Sequence, residues 1–341
     1  MTRQARTDAC YHNDICSVSP TMRNANRLLL PALTAVAVLH ASGLVAQDLN
    51  VHLPVQLIEQ RLKADTFRVL QVRGSRRPND RTQRVTLAFD DSSVIQVKWA
   101  IFAPNAEVFN NSPRYEIAAY EFQKMFLDES DYVVPPTLSR AFNLDWYAQM
   151  DASAKPTFGR TASVLVTLQY WLGAVSSDSV FDLKRFDRDT VYARHLANLN
   201  VFTYLIKHND ANVGNVLISS SAVSPRLFAV DNGLAFGVEE SDRGTDWREL
   251  RVSKVPLKTV ERLRQITRED LDRTLGVVAE YEIRDRVFFP VEKTANTTRG
   301  RGVRKSDTRL QLGLTRLEID GVEQRLRNLL RRVDSGRLKT F

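Results

Sequence analysis

Residues 208–237 read HNDANVGNVLISSSAVSPRLFAVDNGLAFG, and the rest of the chain is read outward from this stretch. A helix-like run ends at His208, an irregular polar segment follows, and a short apolar run, RLFAV, ends at Asp231. Loops between rigid apolar elements carry functional groups disproportionately, because the scaffold holds them still. Asp210 and Asn215 lie five positions apart in the first loop, so with Asp231 the pattern offers three oxygen donors. Donors of this kind suit Mg²⁺ or Mn²⁺. Turn chemistry alone is the competing reading, since Asp210 with Asn212, and Asp-Asn-Gly at 231–233, are turn formers in their own right.

Immediately upstream, VYARHLANLNVFTYLIKH (191–208) repeats Leu196, Leu199, Phe202, Leu205 and Ile206 at helical steps. Farther back, RVTLAFDDSSVIQVKWAIFA (84–103) is two runs rich in β-branched and aromatic residues split by Asp-Asp-Ser-Ser. That is a β-hairpin pattern, with Lys98 in its second strand. Ser112-Pro113 supplies an N-cap and a first-turn proline for a helix running to about residue 127, carrying Glu116 and Glu121. Val-Val-Pro-Pro at 133–136 is a turn, and ASVLVTLQY (162–170) is a buried strand. Everything after Ser253 reads as helical, including a capping box at Thr267 to Asp270 and the stripe Ile319, Val322, Leu326, Leu329 and Val333. The expected architecture is α+β: a small mixed, β-rich lobe over 47–172, then a mainly helical lobe over 173–341.

The 341 residues, 43% of them hydrophobic and 9% aromatic, are enough for a real core and exclude disorder, collagen and a small disulfide scaffold. Against 40 acidic residues stand 48 Lys and Arg, a net +8 without the dense basic stripes of nucleic-acid binders. Arg23 and Arg27 precede LLLPALTAVAVL (28–39) and small residues lead to Ala46, the order of a secretory signal peptide whose start is Met22. A secreted or periplasmic protein is expected; the alternative is a membrane anchor, since 28–46 is 19 residues long. Both cysteines, Cys10 and Cys16, precede the cleavage region, so the mature chain has none. His195 and His208 lack zinc-ligand spacing; the first reads as a packing residue, and the second precedes the loop where it can orient Asp210. The five basic residues between Lys293 and Lys305 suit an acidic substrate or an anionic surface, with a disordered loop as the default.

Phosphoryl transfer needs a metal to bridge nucleotide phosphates, a carboxylate to accept the proton of the attacking hydroxyl, and a fixed lysine against phosphate charge. Lys98 fills the last role if a helix carboxylate holds it, and Glu116 lies 18 residues on. The order VKWA, EIAAYEF, VPPT, QYWLG, HNDANVGN and VDNGLAFG resembles the atypical secreted kinases of the Golgi casein kinase group, and more distantly the HipA toxin kinases and phosphatidylinositol kinases. The resemblance covers roughly 84–237 by motif and the C-terminal part by pattern only. It implies a two-lobed protein-kinase-like fold and ATP with Mg²⁺ or Mn²⁺. It also implies Lys98 and Glu116 as nucleotide-binding residues, Asp210 as the catalytic aspartate, and Asn215 and Asp231 as metal ligands; family register prefers Glu116 to Glu121.

Three features depart from the pattern, the first being that the secreted group uses disulfides while the mature chain has no cysteine. Many relatives have Arg-His after the catalytic aspartate, where this chain has Ala211-Asn212. Where a phosphate-covering loop would lie, 69–78 contains a single glycine, Gly74, while Arg73, Arg76 and Arg77 either supply charge in place of backbone donors or form a solvated basic loop. The expectation is an exported kinase transferring the ATP γ-phosphoryl group to a hydroxyl. Protein Ser/Thr is the first acceptor, a glycan or lipid the second, and no nucleic acid is expected. The alternative is a pseudokinase acting as a nucleotide-binding interaction or activator module.

Overall fold

A computed structural model describes residues 49–74, 82–106, 112–221, 224–237 and 242–341. The leader reading at 1–46 and the basic positions Arg76 and Arg77 lie outside these residues.

Helix α1 (Val55–Lys63) leads into strands β1 (Arg68–Gly74), β2 (Thr82–Ala88) and β3 (Val94–Ile101). After α2 (Pro113–Gln123) come β4 (Thr137–Asn143), α3 (Leu144–Ala148) and β5 (Ser163–Tyr170). The five strands form one antiparallel sheet in the order β1-β2-β3-β5-β4. The expected hairpin is β2–β3, and the expected buried strand is β5, every residue of which is buried.

The two faces of this sheet differ, as the two-residue period of a strand allows. One face presents Val85, Leu87, Ile95, Val97, Trp99, Val166 and Leu168, which form a core with Ile58 and Leu62 of α1 and with Phe142 and Tyr147. Trp99 donates to the Tyr147 hydroxyl at 2.9 Å, so the indole is buried without losing its hydrogen bond. Cross-strand register puts Arg84, Thr86, Gln96, Lys98, Thr137, Ser139, Thr167 and Gln169 on the other face. Thr137, Thr167 and Gln169 at the β4–β5 end of this face are buried, with Gln169 donating to the Thr137 hydroxyl at 2.9 Å, while Arg84, Thr86, Gln96 and Lys98 at the β2–β3 end are half-buried.

Helix α2 begins where expected, with Pro113 in its first turn, although the Ser112 side chain does not cap it. It ends at Gln123, four residues short of the expected Leu127. The Gln123 side chain is buried and takes up the Val-Val-Pro-Pro segment: its Oε1 accepts from the Val133 and Val134 amides at 2.8 Å, and its Nε2 donates to the Val134 carbonyl at 2.7 Å.

Beyond the sheet come α4 (Leu183–Arg188) and α5 (Thr190–Leu205), the latter buried along most of its length. A small antiparallel sheet follows in the order β6 (Val175–Ser176), β7 (Val216–Ser219), β8 (Leu227–Ala229). The loop 208–215 is thus suspended between the C-terminus of α5 and the start of β7. Strand β9 (Lys254–Val255) pairs with β14 (Lys339–Thr340), and helices α6 (Leu257–Gln265), α7 (Arg268–Leu275) and α8 (Arg316–Asp334) pack on α5 and α2 in one large core. The capping box at Thr267 and Asp270 is formed, and Ile319, Val322, Leu326 and Leu329 of α8 are buried.

The all-helical reading after Ser253 is corrected by a four-stranded antiparallel sheet of β10 (Ala279–Arg284), β11 (Val287–Pro290), β12 (Val303–Lys305) and β13 (Arg309–Leu312). Asp285 and Arg286 connect β10 to β11 with φ of 48° and 68°, the left-handed pair of a two-residue hairpin turn made without the usual Asn or Gly. The basic segment before β12 is tied down rather than loose. Buried Glu280 accepts from the Thr294 amide at 2.6 Å and from Arg309 at 2.8 Å, and Gln311 bonds Thr294, Ala295 and Thr297. Among the described residues no helix is long and apolar enough to cross a membrane.

Candidate active site

Lys98 projects from the polar face of β3 into a cluster of carboxylates. Its Nζ donates to Glu116 Oε1 at 2.8 Å and also to Asp231 Oδ1. Glu116 is buried on the first turn of α2, and its second oxygen, Oε2, accepts the backbone amide of Asn232 at 3.0 Å. One carboxylate therefore joins the strand that carries the lysine to the loop that carries Asp231. The Ser112 amide reinforces this by donating to the Gly233 carbonyl at 2.9 Å. Glu121, the alternative partner on the same helix, instead pairs with Lys124 at 2.8 Å.

Burial alone would lower the Lys98 pKa, but Glu116 and Asp231 outweigh it and hold the ammonium above the ordinary lysine value, so Lys98 is charged at neutral pH. Burial pushes the Glu116 carboxyl up, opposed by Lys98 and by the Asn232 amide. Burying such a pair costs several kcal/mol per ion in desolvation, which its attraction at best roughly returns. A hydrophobic pair would stabilise the fold as well, so stability does not account for the arrangement.

Asp231 has φ 60° and ψ 48°, left-handed backbone that costs a non-glycine residue roughly 1 kcal/mol. Strain of that kind concentrates at functional sites. It turns the Asp231 side chain, 47% exposed, out of the end of β8 towards Lys98.

The loop 208–215 is organised around Asp210. Asn212 Nδ2 donates to Asp210 Oδ1 at 2.8 Å, and Asn215 Nδ2 donates to the Asp210 carbonyl at 2.8 Å and to Oδ2 at 3.1 Å. With its side-chain nitrogen committed to Asp210, Asn215 keeps its side-chain Oδ1 for another partner. His208 is fully buried behind the loop; its Nδ1 accepts from the Asp210 amide at 3.4 Å and its Nε2 faces the Val230 carbonyl at 3.3 Å. Burial pushes its pKa down to about 4, so the ring is neutral. The Val230 amide in turn donates to the Asn215 carbonyl at 2.8 Å, and His208 and Val230 together join the two loops.

The five residues singled out in the sequence thus form two groups. Lys98, Glu116 and Asp231 touch directly, Asp210 and Asn215 touch each other, and the His208 ring together with the backbone bond from Val230 to Asn215 connects the groups. His195, read as a packing residue, is buried with Nδ1 3.6 Å from Asp131. No cluster of three His, Cys, Asp or Glu residues able to hold a metal occurs among the described residues. The donor set of Asp231 and Asn215 is one carboxylate and one amide oxygen, which suits a hard cation that keeps several other oxygen ligands. Two carboxylates around the single Lys98 charge leave a net negative site, which favours such a cation.

Sequence reading missed the contribution of Arg84, Gln96 and the Asn232 amide. The signal for Arg84 was present: pairing the hairpin strands about Asp91, the midpoint of 84 and 98, places Arg84 opposite Lys98.

No family model matches the chain, and no curated protein matches its sequence. Solved structures do match. A structure of hydra Fam20 with sugar aligns with 11% identity and a TM-score of 0.45, over 83% of this chain and 88% of that one. A crystal structure of the Golgi casein kinase aligns with 11% identity and a TM-score of 0.46, over 83% and 76%. The Golgi casein kinase with Mn/ADP bound aligns with 12% identity and a TM-score of 0.45, over 84% and 75%. The chain resembles that kinase group in structure, the same group its motifs resemble.

Proposed function

We propose that this chain is an exported ATP-dependent phosphotransferase that passes the γ-phosphoryl group to a hydroxyl, with protein Ser or Thr as first acceptor. The observation that carries this reading is the buried Lys98, held by Glu116 and in contact with Asp231 across three separate elements. Such a lysine faces the phosphates of a bound nucleotide with its charge fixed in advance, so little reorganisation is left for the reaction. Asp231 and Asn215 would hold Mg²⁺ or Mn²⁺, which would supply positive charge against the nucleotide phosphates.

Asp210 orients the acceptor hydroxyl and takes its proton as the hydroxyl oxygen bonds the γ-phosphorus and the bond from that phosphorus to the ADP oxygen breaks, releasing ADP. Asn212 and Asn215 fix the carboxylate while the buried, neutral His208 holds its backbone. The same two amides engage both Asp210 oxygens, and this favours a second reading in which nucleotide binds but transfer is weak or absent. A thermal-shift titration with ATP and Mn²⁺, paired with label transfer from γ-labelled ATP to a mixed protein acceptor, decides between them. A kinase shows both a shift and metal-dependent incorporation; a shift without incorporation supports the binding module, and no shift removes the nucleotide reading.

A further inference from the structure

Three cations stand in one row across the open part of the polar sheet face. Arg73 of β1 is the register partner of Arg84 of β2, and Arg84 is the register partner of Lys98 of β3. Directly opposed residues on antiparallel strands share a face at close range, and like charges so placed repel. Lys98 has two carboxylates against it. Among the described residues neither arginine pairs with a carboxylate: the Arg84 Nε donates to Gln96 Oε1 at 3.1 Å, and its guanidinium lies 4.5 Å over the Trp171 ring. The Trp171 amide donates to the Gln96 backbone carbonyl at 2.8 Å, which ties the backbones of the two residues that Arg84 touches. Partial burial and the Arg73 charge both lower the Arg84 pKa from its ordinary value.

Arg73 and Arg84, the two members of the row without a carboxylate among the described residues, repel each other beside the neutralised Lys98, and an extended anion lying along them relieves that repulsion. The segment before β2 has only Gly74 to offer a glycine cradle, so backbone amides are not the evident source of phosphate donors there. We infer that Arg84, with Arg73 beyond it, binds the phosphate chain of a nucleoside triphosphate, the guanidinium leaving Gln96 and Trp171 to do so. This rests on the nucleotide reading above and deepens it. Side-chain charge rather than backbone amides makes affinity rise with the number of phosphates and fall with salt. An inorganic polyphosphate, with no base or sugar, is then a ligand for the same row.

The test is calorimetric titration of the parent, Arg84→Gln, Arg84→Lys and Arg73→Gln with ATP plus Mn²⁺ and, separately, with inorganic tripolyphosphate. Arg84→Gln is expected to weaken both ligands roughly tenfold or more, as loss of a charge-assisted contact does, while Arg84→Lys keeps part of the affinity and Arg73→Gln costs about threefold. Tryptophan emission of the parent should change on tripolyphosphate binding, and that change should be absent in Trp171→Phe. If the parent binds ATP and both glutamine variants bind it equally well, the clamp is wrong while the kinase reading stands. If tripolyphosphate binds in an Arg84-dependent way but ATP binds no more tightly, the clamp holds and the nucleotide reading falls. A parent that binds neither ligand overturns both.

Discussion

The Lys98 cluster and the Asp210 loop are joined through His208, Asn215 and Val230, yet they are held by opposite means. Lys98, Glu116 and Asn232 are joined by bonds between residues 18 and 116 positions apart, and the Lys98 contact to Asp231 spans 133 positions. Asp210 is held by Asn212 and Asn215, two and five positions away. The first site exists only once the sheet, α2 and the β8 end have come together, whereas the second is a loop that largely sets its own geometry. Changes in the first should propagate among its members; changes at Asp210 should stay where they are made.

The largest effect expected from this contrast is in the first cluster. Lys98→Met and Glu116→Gln should each lower kcat/KM for phosphoryl transfer by roughly 10²- to 10³-fold, the range for losing one preorganised electrostatic group. Because the two residues act as one unit, the double variant should fall well short of the product of the single losses. Full multiplicative loss in steady-state assays would separate them.

A second expectation concerns what holds α2 in place. Arg114, two residues before Glu116, donates to Glu318 of α8 through Nη1 at 2.6 Å and Nη2 at 2.8 Å, and both side chains are largely buried. Glu318 also accepts from the Thr315 amide at 2.7 Å in the capping box of α8. Glu318→Ala leaves a buried guanidinium without its carboxylate and should cost about 3 kcal/mol of stability. Urea unfolding checks it, and a cost within 0.5 kcal/mol of zero, the range of an ordinary surface change, would contradict it.

A pH-dependent effect of similar size comes from His208. Its folded pKa of about 4 lies below the ordinary 6.5 of the unfolded chain, so above pH 6.5 the ring is neutral in both states and contributes no slope. As pH falls from 6.5 towards 4 the unfolded state takes up a proton that the folded state refuses, and stability drops, by roughly 3 kcal/mol across the window. Unfolding at pH 7 and pH 4.5 should therefore show a steeper loss for the parent than for His208→Asn. Parallel loss in the two proteins would mean that His208 is not buried neutral.

The contrast also marks what the sequence made legible. Asp210, Asn215 and Asp231 were visible because local spacing and strand-end position are properties of short segments, and Lys98 with Glu116 came from a strand and the helix after it, read against the family resemblance that prefers Glu116 to Glu121. The β10–β13 sheet was not, because Asp285-Arg286 turns the chain with positive φ but without a glycine, and Glu280, Thr294 and Gln311 bury polar groups that read as surface. The end of α2 at Gln123 depends on the Val133 and Val134 amides, a contact ten residues away that helix composition does not encode. Arg84 shows an intermediate case: the register that sets it beside Lys98 was recoverable, but its lack of a carboxylate partner is a property of the assembled face.

The division of labour between the two regions is tested most directly by measuring ATP–Mn²⁺ affinity by calorimetry and label transfer on the same preparations of the parent, Asp210→Asn and Asp231→Ala. A general base contributes roughly 10²- to 10⁴-fold to the rate and acts on the acceptor rather than on the nucleotide. Asp210→Asn should therefore keep most of the parent's nucleotide affinity while losing transfer by that factor, and Asp231→Ala should lose both. Transfer by Asp210→Asn at the parent's rate would contradict the account.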